Sequence, residues 1–316
     1  MNVLVSGASG IVGYGVLKSL KKACYNKIAS SIYKESAANE FGNTFELAIK
    51  TSSADYEKWL RSILIKHKIQ VAFPGIDDDM YWWDKNKSIF EELGVKCVLN
   101  NSRLIDLCKD KWLFYNELMG NDCESLLIPT SLSSEDLFES YGFPLLVKPR
   151  RGFGSIGVKK ISSEKVLLNL AEGKTDEYIY QKYIGNVDSE YTIAAFGNGK
   201  GSFFNMFSMK RKLSKEGYTI EASVVPNDLF KSAIEKLCSV LNPVGPTNFQ
   251  FRLENGNPKL LEINPRLSSS SSIRSAFGYN ESEMSIAYYL HEELPAIKEY
   301  KKGKAIRYVE DLIFEE

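Results

Sequence analysis

The stretch Asn248-Phe-Gln-Phe-Arg-Leu-Glu-Asn-Gly-Asn-Pro-Lys-Leu-Leu-Glu-Ile-Asn-Pro-Arg266 decides how the chain is read. Asn255-Gly256 is a hairpin-turn signal between two runs of strand-forming residues. Side chains alternate along a strand, so Asn248, Gln250 and Arg252 oppose Phe249, Phe251 and Leu253, while Glu262 and Asn264 oppose Leu261 and Ile263. A two-residue turn pairs Gln250 with Leu261; a three-residue loop over 255–257 pairs Gln250 with Glu262 and Asn248 with Asn264. The second register is expected, because it puts every aromatic and aliphatic residue on one core face. The polar face then holds one carboxylate and two amide oxygens. Hard oxygen donors of low total charge suit Mg²⁺ (or Mn²⁺) held jointly with phosphate oxygens. Gln250, Glu262 and Asn264 are therefore candidate metal ligands. Arg266, two residues past Asn264, is a candidate catalytic residue for a transferring phosphoryl group.

About a hundred residues upstream lies Val147-Lys148-Pro-Arg-Arg-Gly152-Phe-Gly154-Ser155-Ile-Gly157-Val158. A lysine at a strand end is followed by a glycine loop and a second strand. Such a loop offers backbone N–H groups to phosphates, while Lys148 and the arginines supply charge. No Gly-Lys-Ser/Thr follows, so this is not a Walker A loop. A flexible basic hairpin is the plain alternative.

The N-terminus reads as strand 2–6, the turn Gly7-Ala-Ser-Gly10-Ile-Val-Gly13, and a helix through Val16 to Leu20. G-x-x-G-x-x-G approaches a dinucleotide fingerprint, but the second strand, Ile28 to Tyr33, carries no carboxylate until Glu35. The glycines also serve a tight strand-to-helix turn. Further elements expected are a helix over Tyr56–Lys66, strands at 71–74 and 95–99, an acidic loop Asp77-Asp78-Asp79, and a helix over Asp110–Leu118. Ser134 is expected to cap a helix over 135–141. From Pro144 onward the character is β, with helices at 228–241 and 282–290. The fold class expected is α/β, a parallel-sheet unit followed by α+β lobes.

Composition bounds the function. The chain has 316 residues, 40 Lys+Arg against 40 Asp+Glu, 44% hydrophobic and 25% charged residues. These are globular values, with no apolar run of membrane-spanning length. Charge neutrality removes the bulk electrostatic signature of a nucleic-acid binder. The N-terminus has no basic region or cleavage site, so a cytoplasmic protein is expected. Five scattered cysteines give neither a zinc cluster nor a disulfide framework. Two histidines and no G-x-S-x-G leave hydrolytic triads poorly supplied.

Lys148 with its glycine loop, followed by Gln250…Glu262-x-Asn264-x-Arg266, resembles the ATP-grasp superfamily. The run Glu262-Ile-Asn-Pro-Arg-Leu-Ser-Ser-Ser-Ser-Ser-Ile-Arg-Ser-Ala-Phe-Gly278 is similar to the carbamoyl phosphate synthetase large chain and related carboxylate–amine ligases. The resemblance implies an ATP-grasp fold behind a small Rossmann-like domain: 1–100 as the pre-ATP-grasp domain, 101–182 as the small lobe with the lid loop, and 183–316 as the large lobe with the metal site. It implies ATP as cofactor, with Lys111 and Lys148 on its phosphates and Gly152, Gly154, Ser155 and Gly157 in the phosphate loop. Gln181, Lys182 and Ile184 would form the adenine hinge, and Glu190 would bind ribose. Gln181 stands where many relatives carry Glu, and two extra residues separate the hinge from Glu190. Lys210–Lys212 either helps hold phosphates or forms a solvated basic loop. Ser268–Ser272, Arg274 and Asp77–Trp83 either line the acceptor pocket or are mere loops.

The activity implied is activation of a carboxylate as an acyl phosphate, then capture by an amine. Its partners are small-molecule carboxylate and amine substrates, with no nucleic acid or membrane, and a homodimer is the assembly to consider. Ammonia from glutamine would need a separate partner. The rival readings are an NAD(P)-dependent epimerase or reductase and a non-catalytic ATP-binding regulatory protein.

Overall fold

The computed structural model describes residues 1–152, 157–168, 177–185, 189–295 and 299–314. Strands β1 (Asn2–Val5), β2 (Asn26–Ser31), β3 (Thr44–Leu47), β4 (Val71–Phe73) and β5 (Lys96–Cys97) form a parallel sheet in the order β3-β2-β1-β4-β5. Val3, Leu4, Val5, Val71, Ala72 and Phe73 are wholly buried, as strands covered on both faces require. Helix Ile11–Ser19 covers one face through Val12, Val16 and Leu17; helix Tyr56–Lys66 covers the other through Leu60, Ile63 and Leu64. Strand order reverses between β1 and β4, and in open α/β sheets the crevice beyond such a switch point receives ligands.

The first glycines have a steric reason. Gly7 has φ 53°, and a Cβ on Gly13 would lie 2.8 Å from backbone atoms of Ser6, Gly7 and Ala8. Two expectations for this unit change. The acidic run Asp77–Asp79 is not a loop but the first turn of helix Asp77–Lys85, where carboxylates face the positive end of the helix dipole. The expected strand 95–99 contracts to β5, because β4 offers pairing only at Val71 and Ala72.

A second sheet contains β6 (Thr130–Ser131), β7 (Leu145–Pro149), β8 (Lys159–Ile161) and β9 (Tyr178–Lys182) in the order β6-β9-β7-β8. The cap of its helix Ser134–Tyr141 is Ser133, not Ser134; the Ser133 hydroxyl accepts from Asp136 N. The third sheet runs β14-β13-β10-β11-β12-β15, from β10 (Glu190–Asn198), β11 (Phe203–Leu213), β12 (Thr219–Val224), β13 (Val244–Glu254), β14 (Asn257–Asn264) and β15 (Lys304–Ile306). Helix Asp228–Leu241 presents Phe230, Ile234, Leu237, Cys238 and Leu241 to Ile193, Phe249 and Phe251. That spacing is one helical stripe. Lys210–Lys212 lies within strand β11 and is not a loop.

The hairpin reaches its expected pairing by a different route. Its turn is the two-residue Asn255-Gly256, with φ 52° and 82°, as a type I′ turn needs. Phe251 pairs with Leu260, yet Gln250 pairs with Glu262 and Asn248 with Asn264, so Leu261 is a β-bulge. Leu260, not Leu261, joins the core. The bulge re-aims the polar residues that follow it.

Behind this hairpin, Arg274 is fully buried. Its guanidinium donates to Glu281 Oε2 (3.0 Å), Thr192 Oγ1 (2.7 Å) and Asn248 Oδ1 (2.6 Å). Arg274 therefore ties helices Ser271–Ala276 and Glu281–His291 to β10 and β13 and does not line an acceptor pocket. Burial raises the Glu281 carboxyl above the usual range despite Arg274. We predict that Arg274→Ala costs about 3–5 kcal/mol, because it strands a buried carboxylate. The double variant with Glu281→Ala should cost less than the sum of the single variants, measured by denaturant unfolding. Additive losses would show that the pair is not coupled.

Candidate active site

The three sheets converge on a cavity of about 420 Å³. Its lining includes the apolar Phe114, Tyr115, Leu127, Ile128, Ile179 and Leu260, the polar Lys111, Lys148, Gln181, Glu262, Asn264, Gln250 and Arg211, and Arg266, Asp77, Asp78, Ser268, Ser269 and the Gly10–Val12 turn. Glu262 lies close enough to act on Lys111, Lys148 and Arg266. Expected site residues from all three units thus line one cavity.

Lys111 begins helix Lys111–Met119, capped by Asp110, whose Oδ1 accepts from Trp112 N and Leu113 N. Arg150 holds the same carboxylate at 2.8 Å, and Lys111 N donates to Arg150 O. Burial would raise the Asp110 carboxyl, but Arg150 and the two N–H groups outweigh it and hold it low. Cap, lysine and loop are thereby fixed together. Lys111 Nζ donates to Gly152 O at 2.9 Å. Burial lowers its ammonium below the ordinary lysine range.

Lys148 projects from β7 and donates to Gln181 Oε1 at 2.6 Å; Gln181 Nε2 donates in turn to Thr130 Oγ1 at 3.0 Å. Burial, only partly offset by Glu262, brings the Lys148 ammonium down to about 8. The neutral Gln181 gives Lys148 a hydrogen bond without a counter-charge. Such a lysine is poised to receive an external anion.

On the hairpin, Asn264 Nδ2 donates to Glu262 Oε1 at 3.3 Å. Among the described residues, Glu262 Oε2 and Asn264 Oδ1 accept no hydrogen bond, and both side chains line the cavity. This donor pair fits a hard cation that draws its remaining ligands from a bound molecule and water. No cluster of three or more His, Cys, Asp or Glu able to hold a metal alone occurs among the described residues. Gln250 also lines the cavity, but its Oε1 accepts from Arg211 Nη2 at 2.5 Å.

Arg266 makes a two-pronged pair with Asp77, Nε to Oδ1 at 2.5 Å and Nη2 to Oδ2 at 2.9 Å. Burial alone would lower its guanidinium; Asp77 and Glu262 outweigh burial and raise it. The pair fastens the hairpin's end to the first sheet. The acidic run was visible in the sequence, but its pairing to Arg266 was not. The available signal was a carboxylate just beyond β4, at the switch point.

Several expected residues are elsewhere. Glu190 is buried beneath Arg211 (2.6 Å) and Arg252 (3.5 Å) and does not reach the cavity wall. Cross-strand pairing sets this arrangement, with Glu190 opposite Arg211 on one side and Arg252 on the other. Lys182 points away from Gln181 by strand alternation, pairs with Glu254 at 2.8 Å, and spends its own N–H on Pro129 O. Ile184 is buried, and its carbonyl accepts from Arg252. Gly157, with φ 78°, lies against the Pro149 ring instead of lining the cavity. Gly154 and Ser155 lie outside the described residues.

Comparison with known proteins agrees with this geometry. Residues 176–312 match the family described as ATP-grasp in the biosynthetic pathway with Ter operon. The carbamoyl phosphate synthase large chain of Methanothrix thermoacetophila is 27% identical over 208 residues, covering 60% of this chain and 19% of that one. Its counterpart in Thermoplasma acidophilum is 27% identical over 233 residues, covering 66% and 22%. The chain thus spans about a fifth of the length of these relatives. Among solved structures, biotin carboxylase from Campylobacter jejuni superimposes with a TM-score of 0.73 at 16% identity, covering 96% of this chain and 74% of that one. N5-carboxyaminoimidazole synthetase from Staphylococcus aureus, solved with ADP, gives 0.71 at 19% identity, covering 93% and 78%. The polar hairpin, the lysine-bearing sheet and the leading parallel sheet thus share the fold of these structures, and over residues 176–312 the chain matches an ATP-grasp family and is similar to carbamoyl phosphate synthase large chains.

Proposed function

We propose that the chain is an ATP-dependent ligase that activates a substrate carboxylate and joins it to an amine. The γ-phosphoryl group of ATP passes to a carboxylate oxygen, giving an acyl phosphate and ADP. The amine then attacks the acyl carbon: a C–N bond forms, the C–O bond to phosphate breaks, phosphate leaves with the electron pair, and the amine's proton passes to solvent. The observation that carries this reading is the cavity whose lining brings together Lys111, Lys148, Glu262, Asn264 and Arg266.

In this reading the apolar part of the lining takes the purine, and Lys111 and Lys148 hold phosphates. Glu262 and Asn264 would hold Mg²⁺ or Mn²⁺, joined by Gln250 once its amide oxygen leaves Arg211. The metal neutralises phosphate charge when bound. Arg266, oriented by Asp77, steadies the transferring group or the acyl phosphate. Little proton transfer is asked of the protein, which accords with two histidines in the chain. The chain divides as 1–100, 101–182 and 183–316. Small-molecule substrates, a cytoplasmic setting and a homodimer complete the reading. Among the described residues no helix is long and apolar enough to cross a membrane.

The direct test is ADP release from ATP and Mg²⁺ across a matrix of carboxylates and amines, with product masses measured. Release should require both partners, and release independent of every carboxylate would oppose the reading. Glu262→Gln should lower turnover about a hundredfold while changing ATP affinity far less. Near-wild-type turnover would sink the metal role. The Lys148 ammonium, at about 8 in the free protein, should be drawn upward by phosphate oxyanions. Nucleotide binding near pH 8 should therefore take up a proton, and affinity should fall as pH rises through that value. Calorimetry in two buffers of unlike ionisation enthalpy measures the uptake, which Lys148→Met should abolish. Uptake unchanged in that variant would place the proton on another group.

A further inference from the structure

A second cavity, of about 410 Å³, opens beyond the carboxyl ends of the first sheet's strands. It lies on the side of the sheet covered by helix Tyr56–Lys66 and shares Gly10, Ile76 and Asp78 with the main cavity. The proposed chemistry leaves it unused. Two polar atoms in its wall lack a protein partner. Ser30 is fully buried, and its Oγ has no hydrogen bond. Asp79 is 4% exposed and takes both of its hydrogen bonds, from Thr51 (2.6 Å) and Tyr56 (2.7 Å), on Oδ1. Among the described residues, nothing donates to Asp79 Oδ2, and no basic side chain is within ion-pair distance of it.

A carboxylate oxygen can only accept, so the partner missing from Asp79 Oδ2 is a donor, and at so enclosed a residue a cation suits it best. The rings of Tyr33, Tyr56 and Trp59 also line this cavity, and aromatic faces favour an ammonium group. Lys50, exposed at the rim, is the basic side chain of the described lining and suits a carboxylate on the same molecule. The size matches a small organic ligand.

We propose that this cavity is the subsite for the amine substrate and that the substrate carries two amino groups. One, protonated, anchors on Asp79 and Ser30; the other passes Gly10, Ile76 and Asp78 to reach the acyl carbon. This assignment rests on the ligase reading. The anchoring ammonium keeps its proton throughout, and the bond changes are those given for the amine above.

The test pairs putrescine with butylamine and ornithine with norvaline, using hydroxylamine as a nucleophile too small to need the subsite. With a carboxylate found from hydroxamate formation, the diamino member of each pair should exceed its monoamino partner about tenfold in kcat/KM relative to hydroxylamine. That preference should collapse in Asp79→Asn and weaken in Ser30→Ala, which leaves the Asp79–Tyr56–Thr51 hydrogen bonds in place. Calorimetric binding of putrescine or ornithine, without ATP, should weaken in parallel. Equal use of both members of each pair, or a preference that survives both variants, overturns the subsite. Absence of hydroxamate with every carboxylate overturns the ligase reading instead, and the calorimetric comparison then decides the subsite alone.

Discussion

The two-pronged bond between Arg266 and Asp77 holds the site together. It joins the end of the polar hairpin to the first turn of a helix on the parallel sheet, so two separately folded layers close on one cavity. Arg266 is desolvated there, which by itself disfavours its charge; the carboxylate restores it. The guanidinium is thereby both charged and fixed in direction, which its proposed role at a developing phosphoryl charge requires. Asp110, through Arg150, likewise locks the Lys111 helix to the loop that leads into Gly152.

Charge in the site is ordered, although the chain's total is zero. Lys111, Lys148 and Arg266 line one cavity with Glu262 and Asn264, and the Glu262 carboxylate acts on all three cations. Arg211 lines the same cavity, shared between Glu190 and Gln250. That contact makes Glu190 part of the scaffold for the hairpin: removing its charge would free Arg211 to compete for Gln250. The burial of Glu190 between two arginines is reason enough for its place in β10.

Much of this was legible in the sequence because it obeys short-range rules. The strand–glycine–helix opening, the helices over 56–66 and 228–241, and the polar ladder of Gln250, Glu262 and Asn264 follow from period and turn chemistry. The bulge at Leu261 was hidden for a physical reason. Asn255-Gly256 specifies a two-residue turn, and no local signal marks the later insertion that restores Gln250 to Glu262. Contacts across sequence distance were equally silent. Asp77 with Arg266, Glu190 under Arg211 and Arg252, and Arg274 against Asn248 depend on which strands become neighbours. Arg274 looked available because its serine-rich surroundings are polar, yet it is buried where a helix pair meets the sheet. Asp79 looked like a loop carboxylate beside Asp77 and Asp78, but helical geometry turns it to Thr51 and Tyr56.

The central proposal is that a carboxylate oxygen becomes bonded to phosphorus. It is tested most directly by labelling both oxygens of the carboxylate substrate with heavy oxygen and following them through one turnover with ATP and amine. Acyl phosphate chemistry in this cavity predicts one labelled oxygen in the inorganic phosphate released and one in the amide. Inorganic phosphate free of label, with amide still formed, would contradict it.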